Sequence, residues 1–222
     1  MGQPTATIGR FARSRARQRL LAITVGLGLL AAVAVHFTGP AANRSFASVS
    51  GIVQSLMSVA VPLIGILLVG DVRRGPRPAR LAPALLASGL LAALVGVVGI
   101  IISTVTLLVA PETAADPWAR AGTIAVGSVL VQVVAVLVGT GLGLLVRPPV
   151  LAFIATIVVP MGLWFALSAL PSAQDWLTPY AAAQNLLRGE MTALTWAQWS
   201  VVVLLWGVGL NALGAARLKR AG

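Results

Sequence analysis

The sequence predicts an all-α membrane protein with six transmembrane helices and with both termini in the cytoplasm. Of its 222 residues, 58% are hydrophobic and 9% are charged, and the mean hydropathy of +0.95 is far above that of a water-soluble domain. Six apolar stretches each reach the roughly 20 residues that a helix needs to cross the hydrocarbon core of a bilayer. The basic residues lie mainly in alternate gaps between these stretches, which indicates a defined orientation.

The predicted spans form one membrane domain over residues 20–216 and leave little of the chain outside it. A basic segment, residues 1–19, precedes the first span, and a short tail, residues 217–222, follows the last one. The spans cover residues 20–37, 52–70, 82–109, 121–146, 149–170 and 196–216. Both flanking segments are predicted to be cytoplasmic.

Charge distribution predicts which side faces the cytoplasm. Of the 16 basic residues, 13 lie in the two flanking segments and in the gaps after the second and fourth spans. The other gaps contain only Arg44, Arg120 and Arg188, together with four of the five acidic residues. Because arginine and lysine mark cytoplasmic loops, this pattern predicts a multi-pass membrane protein with both termini in the cytoplasm. We expect the membrane to be the plasma membrane. The net charge of +11 is interleaved with spans, so it favours lipid headgroups and a cytoplasmic partner over nucleic acid.

Two segments outside the spans have a helical pattern. Residues 5–19 are predicted to form either a basic interfacial helix or only a basic topology anchor. The gap between the last two spans, residues 171–195, is longer than a turn requires. Its middle, residues 179–187, is predicted to be an outer or re-entrant helix.

Small residues recur every three or four positions in the second, third and fourth spans. This spacing places them on one helical face and permits close contact between helices in lipid. The predicted packing residues are Gly89, Ala92, Gly96, Gly99 and Ser103 in the third span and Gly139 and Gly143 in the fourth. A second interpretation stays open, in which part of these faces lines a substrate path. Its hydrogen-bonding residues would be Gln54, Ser58, Gln132 and Asn211.

The sequence carries no pattern typical of an enzyme. No charged residue lies deep inside a span, so a buried proton relay is not predicted. The chain has no cysteine, no G-x-S-x-G motif and no phosphate-binding P-loop, and its single histidine, His36, lies at the end of a span. We therefore predict no catalytic residue, no metal site and no cofactor site on this chain.

The gap after the second span has a distinctive order of residues, an acid followed four residues later by glycine and then a basic stretch. These residues are Asp71, Arg73, Arg74, Gly75, Arg77 and Arg80. With the glycine-rich end of the fourth span (139–147) and the outer segment 177–189, this element resembles the permease subunit of type-2 ATP-binding-cassette exporters. That family has six spans and cytoplasmic termini. The chain departs from the family in having aspartate for the usual glutamate and Pro76 after the glycine.

The resemblance implies a transport subunit and not an enzyme. It implies that residues 71–80 contact a separate P-loop ATPase subunit, which would bind ATP and Mg²⁺, and that a second permease copy or a paralogue completes the path. The implied activity is alternating-access export of a drug, an antibiotic, a lipid or another amphiphile. The alternative is a six-helix binding or assembly module that does not export, such as the substrate-capture subunit of a vitamin importer.

Overall fold

A computed structural model describes residues 14–40, 43–74 and 81–221, and every regular element in these ranges is helical. Six helical stretches in them are long and apolar enough to cross a membrane, which confirms the predicted all-α fold with six membrane spans. The first five are α1 (Arg15–Thr38), α2 (Phe46–Arg74), α3 (Leu81–Leu108), α4 (Ala121–Leu145) and α5 (Pro149–Ala166). The short helices α6 (Pro171–Leu177) and α7 (Pro179–Arg188) follow. The sixth span consists of α8 (Ala193–Val202), a π-helical segment (Val203–Gly209) and α9 (Leu210–Ala221).

Helix α4 is the centre of the bundle. It contacts α2 most extensively and also packs against α3, α5, α7 and the sixth span. Helix α1 lies on the far side of α2 and contacts α2 and α3. One apolar core, around Met57 and Ile64, joins α1, α2 and α3 to α4. A second core, around Leu186, Trp199 and Trp206, joins α4 to α7 and the sixth span.

Hydrogen bonds fix the two ends of the bundle. At one end Arg17 of α1 forms an ion pair with Asp71 of α2, and Arg73 of α2 donates to main-chain carbonyl oxygens at the end of α4. We call this end, which also holds Arg147 and Arg217, the arginine-rich end. The opposite end carries the remaining four acidic residues of the chain.

At that opposite end a single arginine ties together the first three spans. Arg44 donates to the carbonyl oxygen of His36 at 2.9 Å and to that of Glu112 at 3.4 Å. Nearby, Phe46 stacks on Trp118 with 5.7 Å between ring centroids. From the sequence, Arg44 was only one of the few basic residues on this side. The structure shows that its side chain joins neighbouring helices.

Several helix bounds differ from the predicted spans for local reasons. Helix α1 begins at Arg15, so residues 15–19 continue the first span, and residues 5–13 lie outside the described part. Helix α2 extends at least to Arg74, the last described residue before residue 81, so Asp71 and Arg73 belong to the helix. The sixth span begins at Ala193 because Thr192 and Thr195 cap each other's backbone N–H groups.

The predicted helix over residues 179–187 is confirmed as α7. It ends at Gly189, which has a φ of 70° in the left-handed region that favours glycine. Its apolar face, formed by Ala182, Leu186 and Leu187, is buried against the bundle. The preceding turn is a separate helix, α6, which the sequence did not predict.

Candidate functional site

A large cleft lies between α2, α4, α5 and α7. Its volume is about 400 Å³, and its lining is mainly apolar. Valine, proline, isoleucine and methionine side chains from α2, α4 and α5 form most of the wall. The polar groups on the wall are Ser55, Ser58, Thr156, Tyr180 and Gln184. An apolar cavity with a few polar groups and no charged side chain suits an uncharged or weakly polar ligand with a large apolar part.

The cleft exists because α5 packs loosely while α7 is held tightly. Only Ala152 of α5 is buried, and Pro160 lies within the helix and lines the cleft. In contrast, Leu186 of α7 presses against Gly127 of α4, where an added Cβ atom would lie 2.7 Å from the Leu186 carbonyl oxygen. The indole N–H of Trp206 donates to the carbonyl oxygen of Leu177 at 2.8 Å, which fixes the short helices to the sixth span.

Of the four residues predicted to line a substrate path, Ser58 lies on the cleft wall. Its hydroxyl donates to the carbonyl oxygen of Ser55 at 2.7 Å. This bond lies within α2, so the serine oxygen keeps lone pairs for a ligand. Ser55 and Pro62, which share the small-residue face of α2 with Ser58, line the same cleft.

Gln54 and Gln132 do not line this cleft but form a buried network between α2, α3 and α4. Both side chains are fully buried. The Gln132 amide nitrogen donates to Gln54 Oε1 at 2.8 Å and to the Gln54 carbonyl oxygen at 3.0 Å. Gln54 Nε2 donates to the Gly96 carbonyl oxygen at 3.0 Å. One turn away, the Ser50 and Ser128 hydroxyls share a hydrogen bond of 3.1 Å.

Asn211 belongs to a third polar group, between α4 and the sixth span. Its amide nitrogen donates to the carbonyl oxygens of Gly207 at 2.6 Å and Leu137 at 2.8 Å, and its Oδ1 accepts from the Thr140 hydroxyl at 2.8 Å. Gly207 lies in the π-helical segment, where the backbone N–H of Leu210 bonds five residues back, to Leu205. The wider spacing leaves carbonyl oxygens without their usual partner, and the Asn211 side chain fills one of these positions.

The predicted packing residues lie mostly at helix contacts. Ala92, Gly96, Gly99 and Ser103 are buried in α3, whereas an added Cβ on Gly89 would meet no atom within 4 Å. A Cβ on Gly99 would lie 2.5 Å from Gln54 Nε2, so this glycine makes room for the glutamine network.

In α4, the two predicted glycines face α2. Gly139 lies directly on the backbone of Pro62, and a Cβ on Gly143 would lie 3.1 Å from the Cα of Ile66. Gly65 of α2 meets the backbone of α4 at Val136 in the same way. The backbones of α2 and α4 therefore approach closely along this contact, because a glycine of one helix lies at each of these contact points.

At the arginine-rich end, two of the six predicted coupling residues lie in α2 and bond within the chain. Asp71 is paired with Arg17. The Arg73 guanidinium donates from Nη1 to the carbonyl oxygens of Gly143 at 2.9 Å and Val146 at 3.3 Å. A cation there satisfies the unpaired carbonyls and the negative dipole at the end of α4. The side chain of Arg74 and all of Gly75, Arg77 and Arg80 lie outside the described part.

The sequence did not single out Thr140, Thr156, Tyr180 or Gln184 as site residues. Thr140 stands alone in a glycine-rich run, and that contrast was a usable signal for a polar contact. Thr156 lies on α5, whereas Tyr180 and Gln184 lie one turn apart on α7, and the two helices come together at the cleft only through the fold. Among the described residues, no group of three His, Cys, Asp or Glu side chains is arranged to hold a metal ion.

No family model, curated protein or solved structure matches this chain. The fold nevertheless defines the class, which is a multi-pass helical membrane protein. Three features distinguish this chain within that class. They are the apolar cleft beside α5, the glycine contacts between α2 and α4, and the bonds that join α2 to α1 and α4 at the arginine-rich end.

Proposed function

We propose that this chain is the membrane-spanning permease subunit of an ATP-binding-cassette exporter in the plasma membrane, with both termini cytoplasmic. A second permease copy or a paralogue would complete the path, and a separate P-loop ATPase would bind ATP and Mg²⁺. Three features support the proposal, namely the six spans, the residue order of segment 71–80 and the apolar cleft. The cleft is the strongest of the three, because a membrane module that only assembles with other proteins does not need a ligand-binding cavity.

The cargo that suits the cleft is an amphiphile without a strong charge. The wall offers hydroxyl and amide groups at Ser58, Thr156, Tyr180 and Gln184, while most of its surface is apolar. Burying a charge there without a partner would cost several kcal/mol. Hydroxyl and amide groups can instead orient a polar head while the apolar part displaces lipid or water.

The contact between Arg73 and α4 supports a route for coupling. Arg73 lies at the start of segment 71–80 and is bonded to the end of α4. Helix α4 in turn touches α2 along Gly139 and Gly143 and forms part of the cleft wall through Val134 and Val138. A push on segment 71–80 would therefore act on α4 and the cleft together, since close-packed helices move as units.

Identification of stoichiometric partners tests the class of protein. The chain is isolated from native membranes in mild detergent, and co-purified proteins are identified by mass spectrometry. We expect a P-loop ATPase at about one copy per permease. Recovery of the chain without an ATPase, with a small molecule tightly bound, would instead indicate a substrate-capture module.

A charge-reversal experiment tests the coupling segment. The double variant Arg77→Glu, Arg80→Glu keeps Arg73 and its bonds to α4, so the bundle should insert and fold normally. We expect substrate-stimulated ATP hydrolysis by the reconstituted complex to fall at least about tenfold, because reversing charges across an interface costs more than 1.4 kcal/mol. The matched control reverses Arg217 and Lys219 at the same end. Equal activity in the two double variants would contradict the assignment of segment 71–80.

A further inference from the structure

A second, smaller cleft lies at the arginine-rich end, where α2, α4 and the start of α5 meet. Its volume is about 180 Å³, several times the roughly 30 Å³ that one water occupies in the liquid. Arg73 and Arg147 line it, together with Gly70, Gly143 and Pro149. This cleft is distinct from the apolar cleft and shares no lining residue with it.

The two arginines give the cleft a positive charge that no described acid neutralises. Arg73 is partly buried and held in place, yet among the described residues only its Nη1 atom is used in hydrogen bonds. Arg147 forms no hydrogen bond or ion pair with any described residue. The single acid at this end, Asp71, is already paired with Arg17, and the other four lie at the opposite end.

The start of α5 adds a positive helix dipole on the same side. Helix α5 is 18 residues long and begins at Pro149, on the cleft wall, and its N-cap residue Pro148 provides no side-chain acceptor. The free N–H groups and positive dipole of a helix start favour an anion. Two guanidinium groups and the positive end of a helix dipole therefore lie at one small volume.

A lipid explains the surroundings better than a free anion does. The cleft lies at the ends of membrane-crossing helices, which is the depth of phospholipid headgroups. Next to it, α5 exposes a continuous apolar surface. Val150, Leu151, Ile154 and Val158 are 46% to 69% exposed, and in a bilayer such a surface meets acyl chains.

We propose that this cleft binds the phosphate group of an anionic phospholipid whose acyl chains lie along α5. The arginines of the cleft contact the phosphate oxygens, and the positive end of the α5 dipole lies beside them. Because Arg73 also bonds the end of α4, a bound phosphate would stabilise the junction of α2, α4 and α5. The proposal requires only that the chain lies in a membrane, so it does not depend on export.

Lipid binding by the purified full chain tests the site. Native mass spectrometry and thermal unfolding are measured with phosphatidylglycerol, with phosphatidylcholine and with inorganic phosphate. We expect phosphatidylglycerol to bind and to raise the melting temperature, and Arg147→Gln to weaken that binding at least about fivefold. This factor corresponds to the roughly 1 kcal/mol that one basic residue contributes at an anionic surface.

Two further variants distinguish binding in the cleft from general attraction between charges. Arg217→Gln removes an exposed charge from the same end but not from the cleft, and it should leave binding unchanged. Pro149→Glu places a carboxylate in the cleft at a helix start, where it suits the helix, and should abolish the lipid effect. Arg147 is exposed and forms no hydrogen bond or ion pair with any described residue. The melting temperature of Arg147→Gln without lipid should therefore equal that of the unaltered chain.

Three kinds of outcome would overturn the proposal. The first is equal lipid affinity in Arg147→Gln and the unaltered chain, and the second is an equal loss in Arg217→Gln, which would indicate general charge attraction. The third is stabilisation by inorganic phosphate equal to that by phosphatidylglycerol, or occupation of the cleft by an acidic segment of a co-purified protein. Either result would assign the two arginines to an occupant other than a lipid.

Discussion

Helices α4 and α5 follow each other in the chain and are similarly apolar, yet they are packed very differently. In the most apolar windows of these helices, 44% of α4 is buried within the protein but only 6% of α5. Helix α4 carries glycine, serine, threonine and glutamine on the faces that meet its neighbours, whereas α5 exposes valine, leucine and isoleucine. In lipid, close backbone approach and polar contacts decide which helix is central, since hydrophobicity favours neither position.

Helices α4 and α5 also have different roles. Helix α4 provides contacts that hold the bundle together, at Gly139, Gly143 and Gln132. Helix α5 provides one loosely packed wall of the apolar cleft and one edge of the arginine-lined cleft. Substitutions in α4 should therefore affect stability, and substitutions in α5 should affect ligands.

The largest expected effect is that of Gly139→Ala. The new methyl group would collide with the backbone of Pro62, so α2 and α4 must move apart. We expect a loss of about 1–3 kcal/mol in the free energy of unfolding, the usual cost of overpacking. Reversible unfolding in detergent with increasing sodium dodecyl sulphate measures it.

The matched control for this variant is Gly162→Ala in α5. A Cβ atom at Gly162 meets no atom within 4 Å. The control should be neutral or slightly stabilising, because alanine is a better helix former than glycine by about 0.5–1 kcal/mol. An equal loss of unfolding free energy in Gly139→Ala and Gly162→Ala would show that α4 and α5 do not differ in how closely they are packed.

The next largest effect is expected for Gln132→Leu. It removes both bonds to Gln54 and leaves Gln54 Oε1 buried without a donor, and we expect a loss of about 1–2 kcal/mol. A double-mutant cycle with Gln54→Leu should give a coupling energy of about 0.6–1.7 kcal/mol. Gln184→Leu, on the cleft wall and partly exposed, is the control and should change stability little. A coupling energy near zero would show that the network does not stabilise the bundle.

The smallest effect on stability, and the largest on ligand binding, is expected for Ile157→Trp in α5. Ile157 is 45% exposed and lines the apolar cleft, so the indole should fill the cleft with a stability change below about 0.5 kcal/mol. Labelling of α5 and α7 by a neutral amphiphile with a photoreactive diazirine should fall at least about tenfold if the cleft is closed to it. Ile154→Trp is the control, since Ile154 is 46% exposed but does not line the cleft. Equal labelling of the two variants would place the amphiphile elsewhere.

The candidate site was only partly accessible from the sequence. Ser58 was predicted to face a path and does lie on the cleft wall. The sequence favoured Gln132 and Asn211 over Gln54 as path residues but left packing open for all three. An amide in a membrane span needs either water or another helix. The structure gives all three a partner on another helix, and the sequence could not identify those partners.

Segment 71–80 is a second case in which the sequence could not identify the contacts of a residue. The sequence predicted that segment 71–80 follows the second span as a loop, but Asp71 and Arg73 continue α2 and bond to α1 and α4. A charge pattern reports how many basic residues lie on one side. It does not report which of them are already bonded within the protein.

The sequence by itself determined the class of fold, because length, hydropathy and small-residue spacing are properties of single segments. It also predicted α7, whose start and end residues are local signals. Only the tertiary structure decided that α4 is central, that the π-helical segment presents Gly207 to Asn211, and that two clefts flank α5. Those features depend on which helical face meets which, and that choice is made by backbone contacts between residues far apart in the chain.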